Sequence, residues 1–166
     1  MDALFHAARY GDINTLQTII DKGVDLEARD AQFEHTALEW AALRGHVDCL
    51  QLLINARADL DAQNDHDGCT VLSYAASCGN IDCVRLLINL NANLEIQDRH
   101  DGTAFLRAAK NGRTECARML MDAKADMNVC YRYEATPLML ATLTGAADVQ
   151  RLLDGNADVD VSDYAG

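Results

Sequence analysis

Apolar residues recur along the chain at the spacing of short amphipathic helices. Val47, Leu50, Leu53 and Ile54 fall three or four residues apart and line one helical face. Upstream of them, residues Thr36 to Leu43 predict a two-turn helix, with Thr36 as its N-cap and Ala41-Ala42 as a flat contact surface. Gly45 supplies the left-handed turn between the two helices. Neither helix can bury its apolar face alone, so the pair needs neighbours.

The neighbours are present in the sequence. Gly11, Gly45, Gly79, Gly112 and Gly145 are separated by 34, 34, 33 and 33 residues. Each follows a pair of small residues: Ala7-Ala8, Ala41-Ala42, Ala75-Ala76, Ala108-Ala109 and Ala141-Thr142. Thr36, Thr70, Thr103 and Thr136 each stand nine residues before a glycine, and Ile19, Leu53, Leu87, Leu120 and Leu153 each stand eight after one. Four units close on an Ala-polar-apolar-polar run, as in Ala58-Asp59-Leu60-Asp61. Such a period marks units that stack to share one continuous core.

Together these landmarks resemble the ankyrin repeat over nearly the whole chain. Thr136-Pro137-Leu138 is the nearest match to the family's Thr-Pro-Leu-His, with Pro137 at a first helical position. Thr36-Ala37-Leu38, Thr70-Val71-Leu72 and Thr103-Ala104-Phe105 are more worn. The resemblance implies an all-α fold: an ankyrin-repeat solenoid of five helix-turn-helix units with β-turn fingers. It implies one domain over residues 1–166, with units near 1–29, 30–63, 64–97, 98–129 and 130–166. Fingers are expected near 28–35, 61–69, 95–102 and 128–135, with no extended sheet. The family His after the Leu is replaced by Phe5, Glu39, Ser73, Leu106 and Met139, which predicts looser fingers. Tetratricopeptide repeats share the period, but their aromatic landmarks are missing.

Composition narrows the partners. Charge is −12 and pI ≈ 4.6, with 49% apolar residues and one Pro. Disorder is excluded, and nucleic acid and anionic membrane are poor partners for so acidic a chain. Another protein carrying a basic segment suits it better. Six Cys without paired CxxC spacing, and a start lacking a secretory signal, point to reduced thiols in the cytoplasm or nucleus. The last unit ends on apolar residues and a finger-like tail, so part of a longer array or self-association through the C-terminal unit is expected.

Catalytic chemistry has little support. HExxH, GxGxxG, GxxxxGK[ST] and GxSxG are all absent, and no cofactor is implied. His66 and His100, with Asp67, Asp101 and Cys69, lack structural-zinc spacing and read as finger tips in solvent. The recurring acids, such as Asp59 and Asp61, read as solvated finger carboxylates. Cys49, Cys83 and Cys116 read as core thiols, whereas Cys69, Cys78 and Cys130 read as exposed.

The resemblance also carries a binding surface: a groove formed by fingers and first helices. By register, the residues just before the small pair face it, namely His6, Trp40, Tyr74, Arg107 and Leu140, and so do Tyr10, Arg44 and Lys110 just after. Trp40 and Tyr74 are expected to be exposed anchors, the alternative being packing between first helices. The fourth unit alone has a basic balance, and Arg99, Arg107 and Lys110 are its expected groove charges, suited to an acidic element of the partner. Phe33, Tyr131 and Tyr133 are finger-tip candidates, and the latter two could equally fold back onto the next finger. Asn128, with Leu120, Asp126 and Met127, resembles the pattern hydroxylated in some ankyrin proteins; a plain turn residue is the alternative. Two functions follow: an interaction scaffold or inhibitor, or a modification substrate or sensor.

Overall fold

A computed structural model describes residues 2–126 and 129. They form four helix pairs: α1 (Asp2–Tyr10) with α2 (Ile13–Ile20), α3 (Ala37–Arg44) with α4 (Val47–Asn55), α5 (Val71–Cys78) with α6 (Ile81–Asn89), and α7 (Ala104–Lys110) with α8 (Thr114–Asp122). No strand occurs among the described residues. Odd-numbered helices stack on one another in one layer and even-numbered helices in a second, so the architecture is a helical solenoid of helix-turn-helix units. The fifth predicted unit, with Cys130, Tyr131, Tyr133 and Leu140, lies outside the described residues, as does Asn128.

The first helices begin where the hydroxyls dictate. Thr36, Thr70 and Thr103 accept from the backbone N–H groups of Glu39, Ser73 and Leu106 at 3.2, 3.3 and 3.4 Å. Thr36 lies outside its helix as the cap, so the helix starts at Ala37, one residue after the predicted start. Each first helix then buries its alanine pair, which lets adjacent helices approach closely. Leu16, Leu50, Leu53, Val84, Leu87 and Leu120 from the second helices complete one contiguous core from Leu4 to Ala125. A fully buried side chain of this size contributes about 1.5–3 kcal/mol.

Adjacent units are joined at three heights. At the turn, the residue after each glycine reaches back to the preceding first helix. His46 Nε2 lies 3.1 Å from Arg9 O, Asn80 Nδ2 donates to Ala42 O at 2.6 Å, and Arg113 Nε donates to Ser77 O at 3.1 Å. These carbonyls belong to the last turn of the preceding first helix, and Ala42 O also accepts the Gly45 N–H at 3.2 Å. Asp12, at the same register, instead caps its own helix by accepting from the Thr15 N–H at 3.0 Å.

The second join gives the recurring acids, which reach solvent, a further role. Glu27, Asp61 and Glu95 each accept a backbone N–H from the next unit, those of Asp59, Asn93 and Asp126, each at 2.9 Å. Asp25, Asp59 and Asn93 cap the same turns from within, accepting the N–H two residues on at 3.0 Å. These side chains touch solvent, yet repetition places them as structural ties between units. The third join is between fingers: Arg29 Nη2 donates to Gln63 O, and Gln63 Nε2 to Gln97 O, both at 2.9 Å.

The glycine turn tests this scheme. Gly45 has φ +74°, and a Cβ there would stand 3.0 Å from Asn80 Oδ1. Gly45→Ala combines left-handed strain with displacement of the side chain that satisfies Ala42 O. It should cost roughly 2–3 kcal/mol in urea unfolding. In the background of Asn80→Ala the cost should shrink towards the strain alone, and identical losses in both backgrounds would contradict the coupling.

Candidate protein-binding surface

The fingers and the odd helices form one face, and a carboxylate pins each finger to its helix. Asp30 Oδ1 accepts the Gln32 and Phe33 N–H groups at 2.9 and 2.7 Å, closing the finger turn, while Oδ2 accepts Trp40 Nε1–H at 2.7 Å. Asp98 repeats this with the His100 N–H at 2.6 Å and Arg107 Nε–H at 2.6 Å. In the unit between, Asn64 holds the turn, so Tyr74 O–H donates instead to Asp67 Oδ1 at 2.8 Å. Burial opposes ionisation of Asp30 and Asp67. Hydrogen bonds from Phe33 and Trp40 to the one, and from Cys69 and Tyr74 to the other, outweigh it and hold both carboxyls below the ordinary value. Burial, with the adjoining Asp67, pushes the Tyr74 hydroxyl up.

This geometry corrects the exposure expected of the central rings. Trp40 is 6% exposed and Tyr74 7%. Their polar atoms are satisfied by finger acids, and neighbouring side chains cover their faces. The Arg9 guanidinium lies 4.5 Å from the Trp40 ring centroid, and that of Arg44 lies at 5.7 Å. His35 stands edge-on between Trp40 and Tyr74, 5.0 Å from each, and Phe33 meets Trp40 at 5.6 Å. Arg107 is corrected likewise: its ion pair with buried Asp98 ties up the guanidinium expected to face a partner.

Glu39, in the register of the family's His, is the most connected of these groups. It is buried, and Oε2 accepts from the Thr36 N–H at 3.3 Å and Asn64 Nδ2 at 2.9 Å. His35 Nδ1 lies 2.9 Å from the same oxygen, and Arg29 Nη1 lies 3.4 Å from Oε1. The missing His was expected to loosen the fingers; here a carboxylate braces two of them at once.

The outer candidates lie at the surface. Tyr10 is 62% exposed and Phe33 44%, and Arg44, Arg99 and Lys110 are exposed. Arg99 also lies against the preceding finger, its N–H donating to Asp67 O at 2.9 Å and its Nη2 to Asp65 O. Asp30, His35, Glu39 and Asn64 were not among the candidates. A lone Trp flanked at some distance by an Asp gives no signal that the two will meet.

Two clefts open on either side of the Phe33 finger tip. One, of ≈ 270 Å³, lies against α1 and includes Phe5, Tyr10 and Trp40. The other, of ≈ 380 Å³, lies towards the next finger and includes Glu34, His35, Asn64, His66 and Asp67. Among the described residues, no group of three or more His, Cys, Asp or Glu side chains is placed to hold a metal ion. No described helix is long and apolar enough to cross a membrane.

The thiols divide by burial. Cys49, Cys83 and Cys116 are buried as expected, and Cys78 is exposed. Cys69 is the correction: it is 0% exposed, because Gly68 and Thr70 draw the end of the finger into the core. Burial pushes the Cys83 thiol up to about 11, and Cys69 is raised further.

Two outcomes are expected. Trp40→Ala should destabilise by about 3–5 kcal/mol, as truncation of a buried ring does, whereas Phe33→Ala should cost less than ~1 kcal/mol in the same urea titration. Equal losses would mean that Trp40 is not core. In maleimide labelling followed by peptide mapping, Cys78 should react well before Cys49, Cys69, Cys83 and Cys116. Early modification of Cys69 would contradict the finger geometry.

Residues 4–98 and 90–163 match the family model for ankyrin repeats, a model built of three copies. None of the curated proteins compared matches the chain.

Proposed function

The chain belongs to the ankyrin-repeat family, and from that premise we propose that it is a non-catalytic scaffold or inhibitor that holds a partner protein on its finger-and-first-helix face. Ankyrin repeats are in general protein-protein interaction modules. The observation that carries the reading is the division of labour on this face. Trp40, Tyr74 and Arg107 are engaged in positioning the fingers, while Tyr10 and Phe33 stay exposed at the rim, beside the exposed Arg44, Arg99 and Lys110, which hold contacts of their own. Exposed aromatic and Arg side chains on a rigid, hydrogen-bonded support are what binding anchors require.

The partner is a protein with a basic segment, favoured by the charge of −12. Among the described residues the five thiols are free and four of them are buried, which suits a reducing compartment, the cytoplasm or nucleus. Residues 1–166 act as one repeat domain in this reading. A modification-substrate role has no observation among the described residues in its favour.

The test is capture of a partner by the purified chain, followed by titration of variants. Tyr10→Ala with Phe33→Ala should weaken binding by about 2 kcal/mol or more at an unchanged unfolding midpoint. If the double variant binds normally and changes at Ile13 or Leu90, exposed elsewhere on the solenoid, abolish binding, the face has been misassigned.

A further inference from the structure

We infer that the Phe33 finger tip splits the binding face into two side-chain subsites, and that the segment they take is extended, with an aromatic or long aliphatic residue followed two positions later by Arg or Lys. The inference rests on the finger face being the binding surface and sharpens it to a sequence motif.

The first cleft has aromatic walls. Phe5, Tyr10, Phe33 and Trp40 line it, and the Trp40 indole N–H and the Asp30 carboxylate are bonded to each other. Its cation, Arg9, lies over the Trp40 ring at 4.5 Å and the Tyr10 ring at 5.7 Å. A second cation entering here would meet Arg9, whereas an apolar side chain extends the existing stack.

The second cleft has the opposite character. Glu34 and Asp67 stand in its wall with His35, Asn64 and His66, and no Lys or Arg lines it. Asp67 is already oriented by the Cys69 N–H at 2.9 Å and the Tyr74 hydroxyl at 2.8 Å, so it meets a ligand preorganised. With Glu34 and Asp67 in its lining, this cleft favours a guanidinium or ammonium over an anionic or apolar side chain.

Spacing fixes the register between the two. Ala31, Gln32 and Phe33 line both clefts, so the Phe33 tip is their common wall. Side chains packed on the two faces of one ring stand about 7 Å apart, two contact distances of ~3.5 Å each. An extended chain presents side chains on one edge every ~6.8 Å, two residues of ~3.4 Å. Helical spacing places adjacent side chains on one face closer together and one turn of backbone in the way.

The chain's single Trp is Trp40, in the wall of the first cleft, so its fluorescence reports occupancy directly. Four peptides in identical Gly-Ser flanks serve as probes: Leu-Ser-Arg, Leu-Arg-Ser, Leu-Ser-Ser-Arg and Leu-Ser-Glu. Leu-Ser-Arg should bind about tenfold tighter than the other three, the scale of one charge-assisted contact in the right place. Glu34→Gln, and separately Asp67→Asn, should remove most of the Arg-over-Glu preference while leaving the response to Leu. Phe33→Ala should remove the preference for two-residue spacing. Equal binding of all spacings, a preference for Glu, or an Arg preference untouched by both acid variants would overturn the motif. If a captured partner still depends on Tyr10 and Phe33, the broader reading survives that result. If it does not, both fall together.

Discussion

The end of a short helix is the constraint on which this molecule is built. Each first helix runs seven to nine residues, so most of its carbonyl and N–H groups lie within a turn of an end. Such a helix cannot complete its hydrogen bonding or bury its apolar side alone. The threonine cap answers at one end, and at the other the next unit answers, through His46, Asn80 or Arg113. The second helices are left without a side-chain cap at those three residues, because that side chain has been given to the neighbour. Stability therefore resides in the joins between units, as one-dimensional stacking requires.

The same economy shapes the binding face. A finger is a turn with few apolar atoms, and it needs an anchor on the helical layer. Asp30, Asp67 and Asp98 provide it by accepting from finger N–H groups and from a helix side chain together. The helix donor may be an indole, a phenol or a guanidinium, since only its N–H or O–H is used. That explains why Trp40, Tyr74 and Arg107 occupy one register with such different side chains. It also explains why burying these rings is compatible with binding: through Asp30, Trp40 sets the position of Phe33, which remains exposed.

Much of this was legible in the sequence. The glycine register, the alanine pairs, the threonine caps and the buried second-helix positions depend on contacts within a helix pair or between equivalent positions. A fixed period displays them. The polar pairings were not legible. Trp40 meets Asp30 across ten residues, and Glu39 meets Asn64 across 25, through a finger whose conformation no periodic pattern encodes. Cys69 shows the same limit, because it belongs to a finger by sequence and to the core by packing. The recurring acids were visible and reach solvent as read, but nothing in the pattern showed that they also bond from unit to unit.

Glu39 shows how a worn repeat keeps its fold. A buried carboxylate is costly unless every lone pair is occupied. Here Thr36, Asn64, His35 and Arg29 surround it, and they come from its own cap, the next finger and its own finger. Asn64 takes the place of the Asp found at 30 and 98. An Asp there would set a second carboxylate against Glu39, whereas the amide donates to Glu39 and still closes its own turn with the His66 N–H at 2.8 Å. The loss of an Asp from the anchor position then leaves Tyr74 without its acid, and Asp67 supplies one from the far side of the finger. The departures from the repeat pattern in these two units thus fit one another, linked through a single buried Glu in the first turn of α3.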